Sequence, residues 1–469
     1  MSTHRTRRAR AAALLATATT LAAALTACGS DDDGGGGGGG DADSITVWIV
    51  EDLPDRVAAT QAIVDQFTAE SGIEVELTPV AEDQFNQILT SNAAAGDLPD
   101  VMGAIPLGAL RTLSANELLD TDAVADVLDS LGSDTLSESS LELTSDDGTA
   151  LGVPSEAWVQ LLVYRKDLFD AAGLAVPETY DDVLAAAEAL DSDEVAGFVG
   201  ANVAGDAFTA QTFEEIGLGN GCEMVDDEGE VTFDSDECVE AMDFYGQLIT
   251  DYSVEGAQDV DTTRATYFAG QAAMIIWSSF ILDELAGLRN DAAPTCPECG
   301  DDPAFLAKNS GVVTAIQGPS GEPATFGEVT SWTIPAEAAS DSAKEFVEYM
   351  MTDGYEPWIA IAPEGKIPVR AGNEAGGTEY SDAWAGMDVG VDTKAPLSDF
   401  YGPEVIDALT SGTETLSRWA LPQGQGDLLG AIQGEQPIAN AVNEVANGTS
   451  PEDAVASAAE AIRAAADSL

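Results

Sequence analysis

The sequence predicts an α/β fold in two lobes, each a sheet covered by helices. Three observations carry this. From residue 44 onward, β-branched and aromatic runs alternate with helix-period runs in the order β-α-β-α-β. From Gly152 an α/β pattern starts again. The chain of 469 residues also exceeds what one hydrophobic core comfortably holds.

Ser44 to Val50 is rich in β-branched and aromatic residues and reads as the first strand. Glu51-Asp52-Leu53-Pro54 breaks it, and Pro54 suits the first turn of a helix. Val57, Ile63, Val64 and Phe67 recur at helical spacing until Gly72. Ile73 to Leu77 alternates as a second strand, Phe85 to Ala95 is helical, and Leu98 to Met102 begins a third strand. In the second half, Leu161–Tyr164 and Phe198–Ala201 read as strands. Residues 154–160 read as a loop carrying Trp158. Lys166 to Ala172 is a short helix closed by Gly173. Tyr180 to Leu190 is a helix with Asp181 and Asp182 in its first turn, where the dipole favours anions. Tyr267 to Trp277 runs helix, turn, strand, and Val329 to Ile334 is another strand. Ser340 to Met351 is a helix capped by Ser340 or Asp341. The tail from Leu428 to Ala465 reads as two Ala-rich helices broken at 447–451.

The N-terminus has a different character. Arg5, Arg7, Arg8 and Arg10 precede an uncharged Ala/Leu/Thr run over 11–27, the length of a signal-peptide core. Leu25-Thr26-Ala27-Cys28 resembles a lipobox, so residues 1–27 are expected to be a signal peptide and Cys28 a lipidated terminus. An ordinary secretory signal is the alternative. Residues 28–43 are almost all Gly and Asp and read as a tether. The protein is then expected on the extracellular face of the cell membrane, held by its lipid anchor.

Composition narrows the functions. The chain carries 84 acidic against 17 basic residues, a net charge of −67. That field repels nucleic acid and disfavours strongly anionic ligands. The acids are spread along the chain, as on a solvated surface suited to high salt. The single histidine, His4, lies in the leader, so Ser-His-Asp, Cys-His and His-metal chemistry are absent from the body of the protein. No cofactor or metal is expected. Cys222, Cys238, Cys296 and Cys299 remain beyond Cys28. Outside a cell they suggest disulfides, with the local pairs Cys222–Cys238 and Cys296–Cys299 favoured among three pairings. Half of a zinc ribbon and a redox-active pair are the other readings of Cys296-Pro-Glu-Cys299.

Four ordered stretches resemble extracellular solute-binding protein family 1, the ABC-importer receptors related to maltose-binding protein. They are Val153-Pro154 with Leu162-Val163-Tyr164-Arg165-Lys166-Asp167-Leu168-Phe169 through Tyr180-Asp181-Asp182; Phe268-Ala269-Gly270-Gln271-Ala272-Ala273-Met274; Trp332-Thr333-Ile334-Pro335 with Ser342 to Phe346; and Gly365-Lys366-Ile367-Pro368-Val369-Arg370. Tyr180 stands where the family commonly has Trp, and Ser331-Trp332 where a Gly pair often sits. The resemblance implies a periplasmic-binding-protein-like fold: two discontinuous lobes, a hinge and a ligand cleft between them. The expected lobes are 44–153 plus 325–372, and 154–324 plus 373–469. It also implies a monomer that hands a small polar molecule, a sugar first of all, to a membrane permease.

Ligands in open parallel sheets sit beyond the carboxyl ends of strands. A sugar offers C–H faces to aromatic rings and hydroxyls to carboxylates and amides. The residues expected at the site are therefore Glu51, Gln84, Glu156, Trp158, Asn202, Trp277, Ser278, Phe280, Trp332 and Arg370. Arg370 is equally suited to a structural ion pair, while Trp358 and Trp384 are expected in packing or on the surface. The same cleft could instead take a polyamine or peptide. A glycoside hydrolase needs a carboxylate pair at a set separation, but 84 acids make such a pair uninformative.

Overall fold

The structure is a computed structural model describing residues 44–469, apart from Gln433 and the side chains of Glu82 and Asp83. The expected signal peptide, Cys28 and the tether lie outside the described residues. Strand β1 (Ser44–Val50) pairs in parallel with β2 (Glu74–Val80) and with β3 (Val101–Ile105). The helices Pro54–Ser71 and Glu82–Ala95 connect them, giving the expected β-α-β-α-β order. Ile45, Val47 and Ile49 turn into the core, and Gly72 ends the first helix in the left-handed conformation. Next, β4 (Ser145–Asp146) and β5 (Thr149–Ala150) form a small hairpin.

The second half hangs on one strand, β6 (Val153–Arg165). At 13 residues it spans about 43 Å. Its far end pairs antiparallel with β7 (Met274–Ser278) and β8 (Ser310–Val313). Its near end pairs with β9 (Thr325–Thr333), which also pairs with β3. The sheet therefore forks at β6: β1, β2 and β3 lie on the β9 side, and β7 and β8 pair with its other end. Residues 154–160 are strand, not the expected loop. Pro154 misled because it usually excludes a central strand; here it lies at a register shift between Pro154 and Glu156. The run is buried on both faces, as in a strand covered on both sides, and includes the polar Ser155, Glu156 and Gln160. Trp158 alone within it is not fully buried.

Three shorter pairings complete the sheets. Strand β10 (Ile367–Pro368) joins β6 at Ala157 and Glu156. Strands β11 (Asp388–Val389) and β12 (Ala395–Pro396) form a separate ribbon, and β13 (Leu416–Ser417) runs parallel to β9 at Thr325 and Phe326.

Other elements depart in smaller ways. Phe198–Ala201 makes only a single bridge, Val199 to Ile275, rather than a strand. The helix Ser340–Met350 starts at Ser340 instead of being capped by it; the Ser340 hydroxyl donates to Asp120, and Ala339 is the cap. The tail holds Gly426–Ile432, Pro437–Ala446 and Pro451–Ala466, one break more than expected. The helix Tyr180–Leu190 is as expected, and Asp182 completes a capping box with Thr179. Cys222–Cys238 and Cys296–Cys299 are both disulfide-bonded. Among the described residues no helix is long and apolar enough to cross a membrane.

Candidate functional site

Two adjoining hollows open along the crossing strands. One is about 390 Å³ and the other about 550 Å³, and both are lined by Val50, Pro106, Trp158 and Glu328. Trp158 on β6 faces Glu328 on β9 in the ladder, and its ring meets Phe326 edge-on at 5.8 Å. The first hollow lies beyond the carboxyl ends of β1 and β3, where the switch-point rule places ligands. Ala104, in its wall, holds φ 56°, a conformation costly for a residue with a Cβ.

The first hollow is ionic, and both of its basic residues are paired with acids. Arg56 lies 3.4 Å from Glu51 and 3.4 Å from Glu364. Glu51 also accepts from the backbone N–H groups of Asp52 and Leu53 at 2.9 Å, which fixes the turn after β1. Lys366 reaches Glu156 at 2.5 Å and sits 3.7 Å above the Trp358 ring. The Trp358 indole donates to the other Glu156 oxygen at 2.7 Å, and Ser155 donates there too. The Phe280 ring lies over Gly365, where a Cβ would strike it.

Behind Phe280 lies a buried acid cluster. Asp283 is fully buried, and neither carboxylate oxygen has a hydrogen-bond partner among the described residues. Burial, then Glu364 and Glu284, push its pKa up to about 8, with Arg289 opposing. Burial likewise raises Glu364, the acid that Arg56 touches from the cleft side.

The second hollow has one ionic relay. Glu328 accepts from the Leu107 N–H at 2.7 Å, at the start of the helix Leu107–Ala115, and pairs with Arg418 at 2.5 Å. Arg418 also pairs with Glu214 at 3.0 Å and lies 4.7 Å from the Phe326 ring centre. Burial pulls the Arg418 pKa down, but Glu214 and Glu328 more than offset it and leave it raised.

Four expected residues come together at the first hollow: Glu51, Glu156, Trp158 and Phe280. Gln84 is exposed and lines neither hollow, although its neighbours Phe85 and Asn86 line the second. Ser278 pairs with Gln160 and lines neither. Three expectations are corrected toward architecture. Trp332 is 0% exposed, packed between Phe346 and Trp358 and over Gly103, where any Cβ would overlap its ring. Arg370 is buried, donating to the Thr135 hydroxyl at 3.0 Å and to the carbonyls of Leu131 and Met351, and among the described residues no carboxylate pairs with it. Asn202 clamps a loop, donating to the Gly256 carbonyl and accepting from the Gln258 N–H. Trp277 is 7% exposed, donates to the Val260 carbonyl at 3.3 Å and lines neither hollow. Trp358 and Trp384 are buried, which selects packing over the surface position that the sequence left open.

The sequence reading missed Arg56, Lys366, Arg418, Asn86 and Gln211. One signal could have found the first three. In a chain with 17 basic residues, each one near an expected strand end is conspicuous.

Residues 51–357 match the family model for bacterial extracellular solute-binding proteins. The Escherichia coli K12 protein YcjN, assigned as an ABC-transporter periplasmic-binding protein, is 28% identical over 323 residues, 67% of this chain and 70% of that one. Among solved structures, a solute-binding protein of Thermotoga lettingae bound with α-D-tagatose superposes with a TM-score of 0.66 at 20% identity, covering 90% of this chain and 99% of that one. A cyclo/maltodextrin-binding protein complexed with maltotetraose gives 0.66 at 20% identity, covering 90% and 97%. A sugar transporter protein of Arthrobacter chlorophenolicus with bound laminaribiose gives 0.65 at 18%, covering 90% and 99%. These likenesses show the two-lobed α/β fold. With a family model matched over well more than half its length, the chain belongs to the bacterial extracellular solute-binding proteins.

Proposed function

We propose that this protein is the receptor of an ABC importer and captures a sugar by closing its two lobes on it. The observation that carries the reading is the cleft around Trp158. Aromatic surface from Trp158 and Phe280 stands beside carboxylates, amides and hydroxyls, the pairing a sugar needs. Sugars occupy the similar structures named above. A bound ligand would touch both lobes and so favour the closed state over the open one. The closed face is what a permease would read. No covalent step is needed, and capture followed by release suffices.

The lobes in this reading are 44–153 plus 325–372, and 154–324 plus 373–469, with β6 and β9 as the strands that cross. Lipidated Cys28 and the 28–43 tether would hold a monomer at the outer face of the membrane. The test is a thermal-shift panel of sugars, polyamines, amino acids and peptides in high salt. A shift with sugars alone supports the reading. A shift with polyamines alone replaces it, and turnover of any glycoside overturns it.

A further inference from the structure

The two hollows differ in what they leave free. In the first, the charged groups of Glu51, Arg56, Glu156 and Lys366 are committed to one another or to the backbone, while the Asp52 carboxylate and the Thr330 hydroxyl stay without a hydrogen bond among the described residues. In the second, the side-chain amides of Asn86 and Gln211 make no hydrogen bond among the described residues. Asn86 is exposed on Glu82–Ala95, a helix whose Phe85 and Leu89 pack against Met102 of β3 in the first lobe. Gln211 lies on Ala207–Gly219, whose Phe213 and Ile216 pack in one core with Met274 and Ile276 of β7 in the second lobe. One unspent amide from each lobe therefore borders the same hollow.

An amide both donates and accepts, as a sugar hydroxyl does, and it adds no charge that a neutral ligand would have to compensate. Trp158 is the shared wall, held in place by Phe326 on one side of the ladder. A single ring seated in the first hollow would leave both amides unused. Each hollow alone also falls within the range of a small-molecule site.

Resting on the sugar reading, we infer that the ligand has at least two sugar rings straddling Trp158, and that Asn86 and Gln211 read the hydroxyls of the ring in the larger hollow. They are specificity-determining residues for chain length. The selectivity is for an oligosaccharide over its own monosaccharide.

The experiment is calorimetric titration of the full-length protein with a mono-, di- and trisaccharide series. Wild type is compared with Asn86→Ala, Gln211→Ala and Thr90→Trp. Thr90 is exposed on the rim of the larger hollow, so the indole fills space without disturbing the core. Expected is tighter binding of the longer sugars. Each amide truncation weakens that binding by roughly 2- to 12-fold, the scale of one hydrogen bond. Thr90→Trp abolishes the length preference, and any monosaccharide binding is unmoved by all three changes. A monosaccharide bound as tightly as any longer sugar, with Thr90→Trp silent, would overturn the inference while leaving the sugar reading intact. No binding by any sugar of any length would instead overturn the sugar reading itself.

Discussion

Trp332 and Trp158 sit on neighbouring crossing strands, yet they do opposite things. Trp332 on β9 is fully buried beneath Gly103, against Phe346 and Trp358. Trp158 on β6 is the one incompletely buried residue of its strand and borders both hollows. Both were expected at the ligand. The difference lies in what stands beside each ring. Gly103, which has no Cβ to meet the Trp332 ring, lets that large ring sink into the core, whereas Glu328 beside Trp158 in the ladder keeps a polar, solvent-reachable face next to the ring. An aromatic on a crossing strand is thus assigned by the residue its ring meets, not by its own hydrophobicity.

The largest effect separating the two is on stability. Trp332→Ala should cost about 3–5 kcal/mol of folding free energy, the range for emptying an aromatic core site. Chemical denaturation measures it. Affinity of the molecules that remain folded should be unchanged. If Trp332→Ala instead spared stability and abolished binding, the assignment of the two tryptophans would be reversed. Trp158→Ala should do the complementary thing. We expect a loss of about 1–3 kcal/mol in binding, the scale of aromatic burial and stacking, with a much smaller change in the denaturation midpoint. Calorimetry on the best-binding sugar decides it.

The third expectation concerns the wall behind Phe280. Asp283 has an ordinary aspartate value of 3.8 and a folded value raised to about 8, chiefly by burial. The folded protein therefore holds a proton that the unfolded chain has released. Stability from this group is fully present below about 4 and is lost as pH rises toward about 8. Glu364, Glu284, Arg289 and Arg264 face the same cluster, and Tyr401 packs beside it. Asp283→Asn keeps the shape and removes the titration. Its melting temperature should exceed that of wild type above pH 8 and flatten the decline between pH 5 and 8. A wild-type melting temperature that is level over that interval would remove the buried acid from the account.

The fold was legible because its signals are local. The break at Pro54, the left-handed stop at Gly72 and the Thr179–Asp182 box are each written in a few neighbouring residues. The cleft was half legible. Glu51 and Phe280 follow strand ends, so topology alone points to them. Trp332, Arg370 and Asn202 were misplaced because burial depends on residues far away in sequence: Gly103 for Trp332, Leu131 and Thr135 for Arg370, Gly256 for Asn202. Arg418 was missed for the same reason. Its two carboxylate partners lie 204 and 90 positions away, and no periodicity records that.

Added salt should leave the contrast between Trp158 and Trp332 nearly untouched, and it gives the smallest expected effect on it. The chain carries 84 acids for 17 bases, so self-repulsion acts across the exposed surface. Screening relieves repulsion between exposed charges and reaches buried pairs much less. The Arg418–Glu328 and Lys366–Glu156 pairs at the cleft are largely buried, and Trp332 is surrounded by apolar rings. Raising salt from low to molar concentration should therefore raise the melting temperatures of wild type, Trp158→Ala and Trp332→Ala in parallel. The gap between the variants should stay constant, as should the affinity for a neutral sugar. A gap that closes with salt would mean that the stability difference is electrostatic, carried by the cleft's ion pairs rather than by the ring packed under Gly103.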